Sequence, residues 1–87
     1  MILQIQLFGG FRQFENQGKI QIEVSPGITA KEIKEIIFQG FAQHPQVASL
    51  RGLLDSSVLA TEDTILDPND KVLETSPLAL LPPVCGG

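Results

Sequence analysis

Several residue types are scarce in this sequence, and each scarcity excludes a class of function. The 87 residues include one cysteine, one histidine, and neither tryptophan nor tyrosine. A single cysteine cannot form an internal disulfide, so a reducing, cytoplasmic location is expected. One histidine and one cysteine are also too few for a typical metal site, and no Ser-His-Asp or Cys-His spacing suits nucleophilic catalysis. We therefore predict a protein that binds no metal and is not an enzyme on its own.

Basic residues and long apolar runs are also few. Six lysines and arginines stand against ten acidic residues, which gives a formal net charge of −4. Nucleic-acid binding usually needs a basic surface with stacking aromatics, so it is not expected. No apolar run approaches the ~18 residues of a membrane span, and the first residues lack the pattern of a signal peptide. The acidic balance suits a protein partner with a basic docking surface.

Alternation of apolar and polar residues predicts strands in the first part of the chain. We expect strands at residues 2–8 and 19–24, joined as an antiparallel hairpin by a long loop that follows Gly9-Gly10. Phe11 and Phe14 in this loop are interpreted as side chains that close the core. The apolar positions expected on the inner face are Leu3, Ile5, Leu7, Ile20, Ile22 and Val24.

A helix is predicted after the turn Ser25-Pro26-Gly27. Thr29 followed by Glu32 forms a capping box, and Pro45 ends the pattern. His44 at this end is interpreted as a surface residue or a partner of the helix dipole rather than a catalytic group. The apolar stripe of the helix consists of Ala30, Ile33, Ile36, Ile37 and Phe41.

The second half of the chain is predicted to add three short strands, at residues 50–54, 58–60 and 71–75. A connector before the last strand places Ile65 and Leu66 in the core, and Asp67-Pro68-Asn69-Asp70 forms a turn. Val72 and Leu73 are the apolar members of the last strand. The order of elements predicts an α+β, β-grasp fold: a mixed sheet of four to five strands with one main crossover helix on one face.

The end of the chain carries the most informative pattern: Leu81, Pro82, Pro83, Val84, Cys85, Gly86 and Gly87. The two prolines favour an extended path, and glycine obstructs nothing. A carboxylate is a poor electrophile, so its transfer chemistry would need activation, for example as an anhydride with AMP, in another protein's site.

We predict a β-grasp domain at residues 1–75 and an extended tail at residues 76–87. Because proline cannot donate a ladder hydrogen bond, Pro77 allows either a tail that projects from residue 76 or a bulge after which residues 78–81 pair again.

Three motifs connect the chain to a known family. They are Leu81-Pro82-Pro83-Val84-x-Gly86-Gly87 at the end, Phe8-Gly9-x-x-Arg12 after the first strand, and Asp67-x-x-Asp70-x-Val72 before the last. In these the chain resembles the ubiquitin-like sulfur carriers of the MoaD/ThiS family, and among them most of all the small subunits of molybdopterin synthase.

This resemblance implies a thiocarboxylate cycle. An adenylating, ubiquitin-activating-like enzyme would use ATP to activate Gly87, sulfur would replace AMP, and the thiocarboxylate would donate sulfur in molybdenum cofactor biosynthesis within a large catalytic subunit. No cofactor would be bound tightly. Gly86 would keep the approach to Gly87 free of side-chain atoms. The docking channel would be lined by Leu81, Pro82, Pro83 and Val84. Phe8 would lie on the exposed sheet face or, alternatively, in the core, and Cys85 would be a spacer or a thiol that handles sulfur.

Other functions remain open from the sequence. The acceptor pathway could instead be thiazole synthesis, tRNA thiolation or cysteine synthesis. Gly87 could be joined to lysines of target proteins, as in a ubiquitin-like modifier. The chain could also be a plain interaction domain in which the terminal glycines have no chemical role.

Overall fold

The computed structural model describes residues 1–15 and 17–82 of the chain. A 3₁₀ helix, Gly9–Gln13, follows the first strand. The helices are α1 (Ala30–Gly40) and α2 (Val47–Asp55). The strands are β1 (Ile2–Leu7), β2 (Lys19–Glu23), β3 (Ile28–Thr29), β4 (Val58–Ala60), β5 (Ile65–Leu66), β6 (Lys71–Val72) and β7 (Leu78–Leu81).

Five strands form one mixed sheet in the order β2-β1-β7-β4-β5, and β3 pairs with β6 in a separate ribbon. β1 and β2 are antiparallel, as the hairpin prediction required. β7 runs parallel to β1 and antiparallel to β4. The predicted β-grasp fold with a mixed sheet is confirmed. The strand that runs parallel to β1 is β7, near the end of the described chain, and the element directly after α1 is a second helix.

One buried cluster joins the inner face of the sheet to both helices. Leu3, Ile5 and Leu7 of β1 alternate with exposed residues and are at most 3% exposed. Phe11 and Phe14 close the core as predicted. The helix and sheet residues that meet them include Ile33, Ile37, Leu50, Leu54, Leu59 and Leu80.

The predicted capping box starts α1. The Glu32 N–H donates to Thr29 Oγ1 at 3.2 Å, and the Thr29 N–H donates to Glu32 Oε1 at 3.0 Å. These bonds satisfy helix N–H groups that have no partner within the helix. The hydrogen bond from the Thr29 backbone, with a second from its hydroxyl, lowers the pKa of the Glu32 carboxyl. The local sequence therefore fixes where the helix begins.

The far end of the helix differs from the prediction. α1 ends at Gly40, so Phe41 follows the helix, and Ile36 is 37% exposed. His44 is half-buried rather than on the surface, with its ring centroid 4.6 Å from that of Phe14. Its Nδ1 accepts a hydrogen bond from the Gln46 N–H at 3.0 Å. His44 is thus part of an aromatic cluster at the edge of the core.

The strand predicted at residues 50–54 is wrong, because this segment lies in α2. Leu50 and Leu54 are the buried residues of α2, and their spacing of four places them on one face of a helix just as it would in a strand. Arg51 holds α2 against α1: its Nη1 donates to Glu35 Oε1 at 2.6 Å, and its guanidinium carbon lies 3.9 Å from the Phe38 ring centroid. The fold therefore has a second helix beside the crossover helix.

Two further core assignments are corrected. Ile65 is 62% exposed, because it pairs with Ala60 on the outer face of the sheet; only Leu66 packs against the core. Leu73 is 69% exposed, because β6 ends at Val72 and pairs with β3 rather than joining the main sheet. The strand predicted at residues 71–75 is therefore only the two-residue β6, which forms a short ribbon with β3.

The predicted tail boundary at residue 76 is also corrected. Leu78–Leu81 is β7, which lies between β1 and β4, and its Leu78 and Leu80 are 3% and 0% exposed. Pro77 precedes the strand, so its missing N–H removes no ladder hydrogen bond. Of the two alternatives, renewed pairing of residues 78–81 is the observed one, through a new central strand. The folded body extends through Leu81.

Candidate functional site

The pairing of β7 determines where the chain leaves the sheet. Leu7 is opposite Leu80 in the parallel β1-β7 pair, so the next residues, Phe8 and Leu81, are neighbours at the same end. On the other side, Val58 of β4 is opposite Leu81. Three predicted site residues, Phe8, Leu81 and Pro82, are thus brought together. The others, Pro83, Val84, Cys85, Gly86 and Gly87, lie outside the described residues.

Gly9 and Pro82 are in direct contact at this exit point. Gly9 has a φ of 58°, in the left-handed region that favours glycine. A Cβ atom placed on Gly9 would lie 2.7 Å from Cγ of Pro82, too close for any other residue without a shift. The turn after β1 therefore holds Pro82, the first residue of the terminal Pro-Pro pair, at the end of the sheet. We call Leu81 and Pro82 the tail root.

Replacing Gly9 with alanine is expected to destabilise the fold by about 2 kcal/mol or more, from left-handed strain of about 1–2 kcal/mol and the clash with Pro82. Gly27 provides a matched control: its φ of 93° is also positive, but a Cβ there would meet nothing within 4 Å. Urea unfolding of both variants measures the difference. Equal losses for the two substitutions would show that the contact with Pro82 has no energetic role.

An apolar patch adjoins the tail root on the outer face of the sheet. Phe8 has an extended backbone (φ −126°, ψ 158°), so its side chain lies on the face opposite Leu7, and it is 40% exposed. Cross-strand pairing places the other members on the same face. The apolar patch consists of Phe8, Val58, Ile65, Ala79 and Leu81, and Ala60 on the same face is only 7% exposed. Of the predicted alternatives for Phe8, the exposed sheet face is the one observed.

The patch accounts for the unbroken apolar runs in β4 and β7, which by themselves indicate only buried strands. β4 (Val-Leu-Ala) and β7 (Leu-Ala-Leu-Leu) are apolar on both faces, as in strands that are covered on both sides. Here the described helices cover only the inner face. Val58, Ile65 and Ala79 were missed as site residues, and the unbroken apolar runs were the signal that could have found them.

Polar side chains border part of the patch. A depression of about 170 Å³ beside it is lined in part by Ala60, Ala79 and Glu62. Gln4, Gln6 and Lys19 line a neighbouring depression of about 310 Å³ on the same face. An apolar centre with a polar border is the usual anatomy of a protein interface.

The other two motifs of the resemblance have structural roles. The Arg12 guanidinium lies beside Gly18, whose added Cβ would be 3.4 Å from Arg12 Nε. The Asp67 N–H donates to Asp70 Oδ2 at 2.8 Å, and the Ala30 N–H donates to the Asp70 carbonyl at 3.0 Å. The motif that contains Arg12 therefore packs within the loop after β1, and the motif that contains Asp67 and Asp70 binds the start of α1.

The described residues contain neither a candidate metal centre nor a membrane-spanning helix. Within residues 1–15 and 17–82, no group of three or more His, Cys, Asp or Glu side chains could hold a metal ion. No helix in the same ranges combines the length and apolar character needed to cross a bilayer.

Comparison with known proteins gives matches at the level of structure. No protein-family model matches the chain, and no curated protein matches it by sequence. Small archaeal modifier protein 1 (SAMP1) from Haloferax volcanii is similar over 100% of both chains, with a TM-score of 0.71 and 20% identity. A Pyrococcus furiosus protein assigned as molybdopterin converting factor subunit 1 is similar over 97% of this chain and 99% of its own, with a TM-score of 0.62 and 14% identity.

The fold also occurs inside a larger protein. A chain from the crystal structure of ATBAG1 in complex with HSP70 matches 98% of this chain with 41% of its own length, at a TM-score of 0.63 and 14% identity. The first two proteins, in contrast, match over nearly their whole length. The chain has the ubiquitin-like β-grasp fold, which it shares with a small archaeal modifier and a molybdopterin converting factor subunit.

Proposed function

We propose that the chain is a sulfur carrier whose reactive group is the α-carboxylate of Gly87. The observation that carries the proposal is the position of the tail root: β7 is a central strand, and Gly9 holds Pro82 at its exit beside an exposed apolar patch. Five residues lie between Pro82 and the Gly87 carboxylate, and five residues can span at most about 18 Å. The β-grasp body then serves to dock the chain near an enzyme site that the tip can reach.

The chemistry proceeds in two steps in an adenylating enzyme. The carboxylate attacks the α-phosphorus of ATP, which releases pyrophosphate and forms an acyl adenylate. Hydrosulfide then attacks the acyl carbon, the acyl–phosphate bond breaks with release of AMP, and loss of the proton on sulfur leaves a thiocarboxylate. Adenylation is needed because the free carboxylate is ionised at neutral pH and is a poor electrophile. Gly86 and Gly87 place no side chain near the reacting carbon.

The patch and the terminal sequence have separate roles in this proposal. The apolar patch docks on the enzyme through side chains that are already exposed, such as Phe8 and Val58. Leu81 and Pro82 continue this contact, and Pro83 and Val84 enter the channel. Cys85 is either a spacer or a second sulfur-handling thiol, and Cys85→Ala with unchanged sulfur transfer would favour the spacer.

The acceptor we favour is the precursor of molybdopterin, bound in a large catalytic subunit. Support comes from the terminal Leu-Pro-Pro-Val-x-Gly-Gly pattern and from the fold shared with a molybdopterin converting factor subunit. The second candidate is a protein modifier, in which a lysine amine displaces AMP or a later thioester. The similarity to small archaeal modifier protein 1 over the full length of both chains favours this alternative.

ATP–pyrophosphate exchange with the cognate adenylating enzyme tests the first step. The intact chain is expected to support exchange, and deletion of Gly87 is expected to lower the exchange rate by about 100-fold or more, since the reacting carbon would be displaced by one residue. Circular dichroism would confirm that the shortened chain keeps its fold. Undiminished exchange without Gly87 would contradict the proposal. When exchange is present, sulfur incorporation indicates a carrier, and lysine-linked adducts indicate a modifier.

A further inference from the structure

β2 lies at one edge of the main sheet, and in the described part of the chain it pairs only with β1. Two hydrogen bonds define its orientation: the Leu7 N–H donates to the Gly18 carbonyl, and the Val24 N–H donates to the Met1 carbonyl, both at 2.8 Å. In an antiparallel ladder, residues that bond to the neighbour alternate with residues that do not. The backbone groups of residues 18, 20, 22 and 24 therefore point toward β1. Those of residues 19, 21 and 23 point away from the sheet.

The side chains along this edge follow a symmetrical pattern. Lys19, Gln21 and Glu23 are exposed, with a cation two residues before Gln21 and an anion two residues after it. Ile20 and Ile22 point to the core side but are only half-buried, since no described strand covers them. A depression of about 500 Å³, lined in part by Lys19, Ile20 and Gln21, runs beside the edge.

We propose that two copies of the chain pair through β2, antiparallel, about a two-fold axis at Gln21. In this register Lys19 of each copy is opposite Glu23 of the other copy, and the Gln21 residues of the two copies are opposite each other. The outward N–H and C=O groups of these residues then bond to each other in the pattern of a regular ladder. On the core side, Ile20 is opposite Ile22 of the second copy, which removes further apolar surface from water.

The charges select this arrangement over the alternatives. Parallel pairing in register would place Lys19 against Lys19 and Glu23 against Glu23, which is unfavourable. A register shifted by one residue would place the outward-pointing residues of one copy opposite residues of the second copy whose backbone groups point toward their own β1. It would also move the side chains of the second copy to the other face of the combined sheet. Exposed edges are often protected by charge. Here the two charges have opposite signs and are equally spaced around Gln21, so the edge repels a parallel copy and attracts an antiparallel one.

The dimer would keep both tail roots accessible. The combined sheet would have ten strands, with β2 of each copy at the centre and β5 of each copy at an outer edge. Because the two copies run in opposite directions, their β7 strands would end at opposite ends of the combined sheet, measured along the strands. The dimer is therefore independent of the proposed carrier function, and either could fail without the other.

Sedimentation equilibrium over a concentration series tests the dimer directly. The wild-type weight-average mass is expected to rise from monomer toward dimer as concentration increases to about 1 mM. Lys19→Glu alone, or Glu23→Lys alone, turns both symmetry-related ion pairs into repulsions. Each variant is expected to raise the dimer dissociation constant about tenfold or more. An equimolar mixture of the two variants pairs opposite charges at every position again, so it is expected to form a heterodimer.

Two further variants separate edge pairing from other causes. Gln21→Pro removes the outward N–H at the two-fold axis without removing a bond to β1, and is expected to abolish the dimer. Lys71→Glu makes the same charge change on exposed β6 and is expected to leave the dimer unchanged. A wild-type chain that stays monomeric up to about 1 mM would overturn the proposal. So would charge variants that dimerise like the wild type, or a mixture of the two that remains monomeric.

Discussion

Replacing Leu80 with alanine is expected to lower the free energy of unfolding by about 2–5 kcal/mol, a large share of the ~5–15 kcal/mol typical of a domain. Leu80 is 0% exposed and lies in the central strand, where its backbone is paired with both β1 and β4. Truncation would leave a cavity between the sheet and the helices. Urea unfolding followed by circular dichroism measures the loss.

Leu81 is the matched control for this substitution, because it is the next residue of the same strand and faces outward. It is half-buried, and Leu81→Ala is expected to cost about 1 kcal/mol or less. If residues 76–82 instead projected from the fold as a tail, both substitutions would have little effect. A negligible loss for Leu80→Ala would therefore contradict the position of β7 and the tail root.

Replacing Phe8 with aspartate is expected to raise the KM of the adenylating enzyme for this chain by about 10–100-fold, with little change in kcat. Phe8 is 40% exposed and lies beside the tail root. A buried aromatic residue near the centre of an interface often contributes 1–3 kcal/mol or more to binding. Because the substitution removes docking rather than chemistry, the loss belongs in KM. Pyrophosphate exchange over a range of carrier concentrations separates the two parameters.

Leu73→Asp is the control for this experiment. Leu73 is 69% exposed but lies outside the apolar patch, so the same change of an exposed apolar residue to a charged one is expected to leave KM unchanged. Equal increases for both variants would mean that net charge, not the patch, governs docking. A fall in kcat with an unchanged KM would place Phe8 in the chemical step and contradict its docking role.

The elements predicted correctly from the sequence are those specified by neighbouring residues. Thr29 and Glu32 define the helix start through hydrogen bonds between residues three apart. The alternation in β1 and β2 arises because one face of the hairpin is buried. Both signals act over a few residues, so tertiary contacts are not needed to detect them.

The elements predicted wrongly depend on distant contacts. Leu50 and Leu54 suit a short strand or a short helix equally well, and packing of α2 against α1 decides between them. β7 has only four residues, and its place in the sheet depends on partners more than 15 residues away in the chain. Pro77 indicated a break in pairing, but only the sheet order shows that pairing resumes at Leu78.

The candidate site was predictable in composition but not in arrangement. Phe8, Leu81 and Pro82 were singled out by motif, and their proximity follows from the parallel β1-β7 register, which no local pattern specifies. The contact between Gly9 and Pro82 likewise joins residues far apart in the chain. From the sequence, Val58 was assigned to a strand, Ile65 to the core and Ala79 to the tail, and only the sheet pairing places all three on the face that adjoins the tail root.

The most direct test of the account is the intact mass of the chain after incubation with ATP, its adenylating enzyme and a sulfur donor. The measurement first establishes that Gly87 carries the free carboxylate in the purified chain. We then predict a mass gain that corresponds to replacement of one oxygen atom by sulfur, located by fragmentation at Gly87. Conversion to lysine-linked adducts instead would support the modifier function. An unchanged mass with all three reactants present would contradict the carrier account.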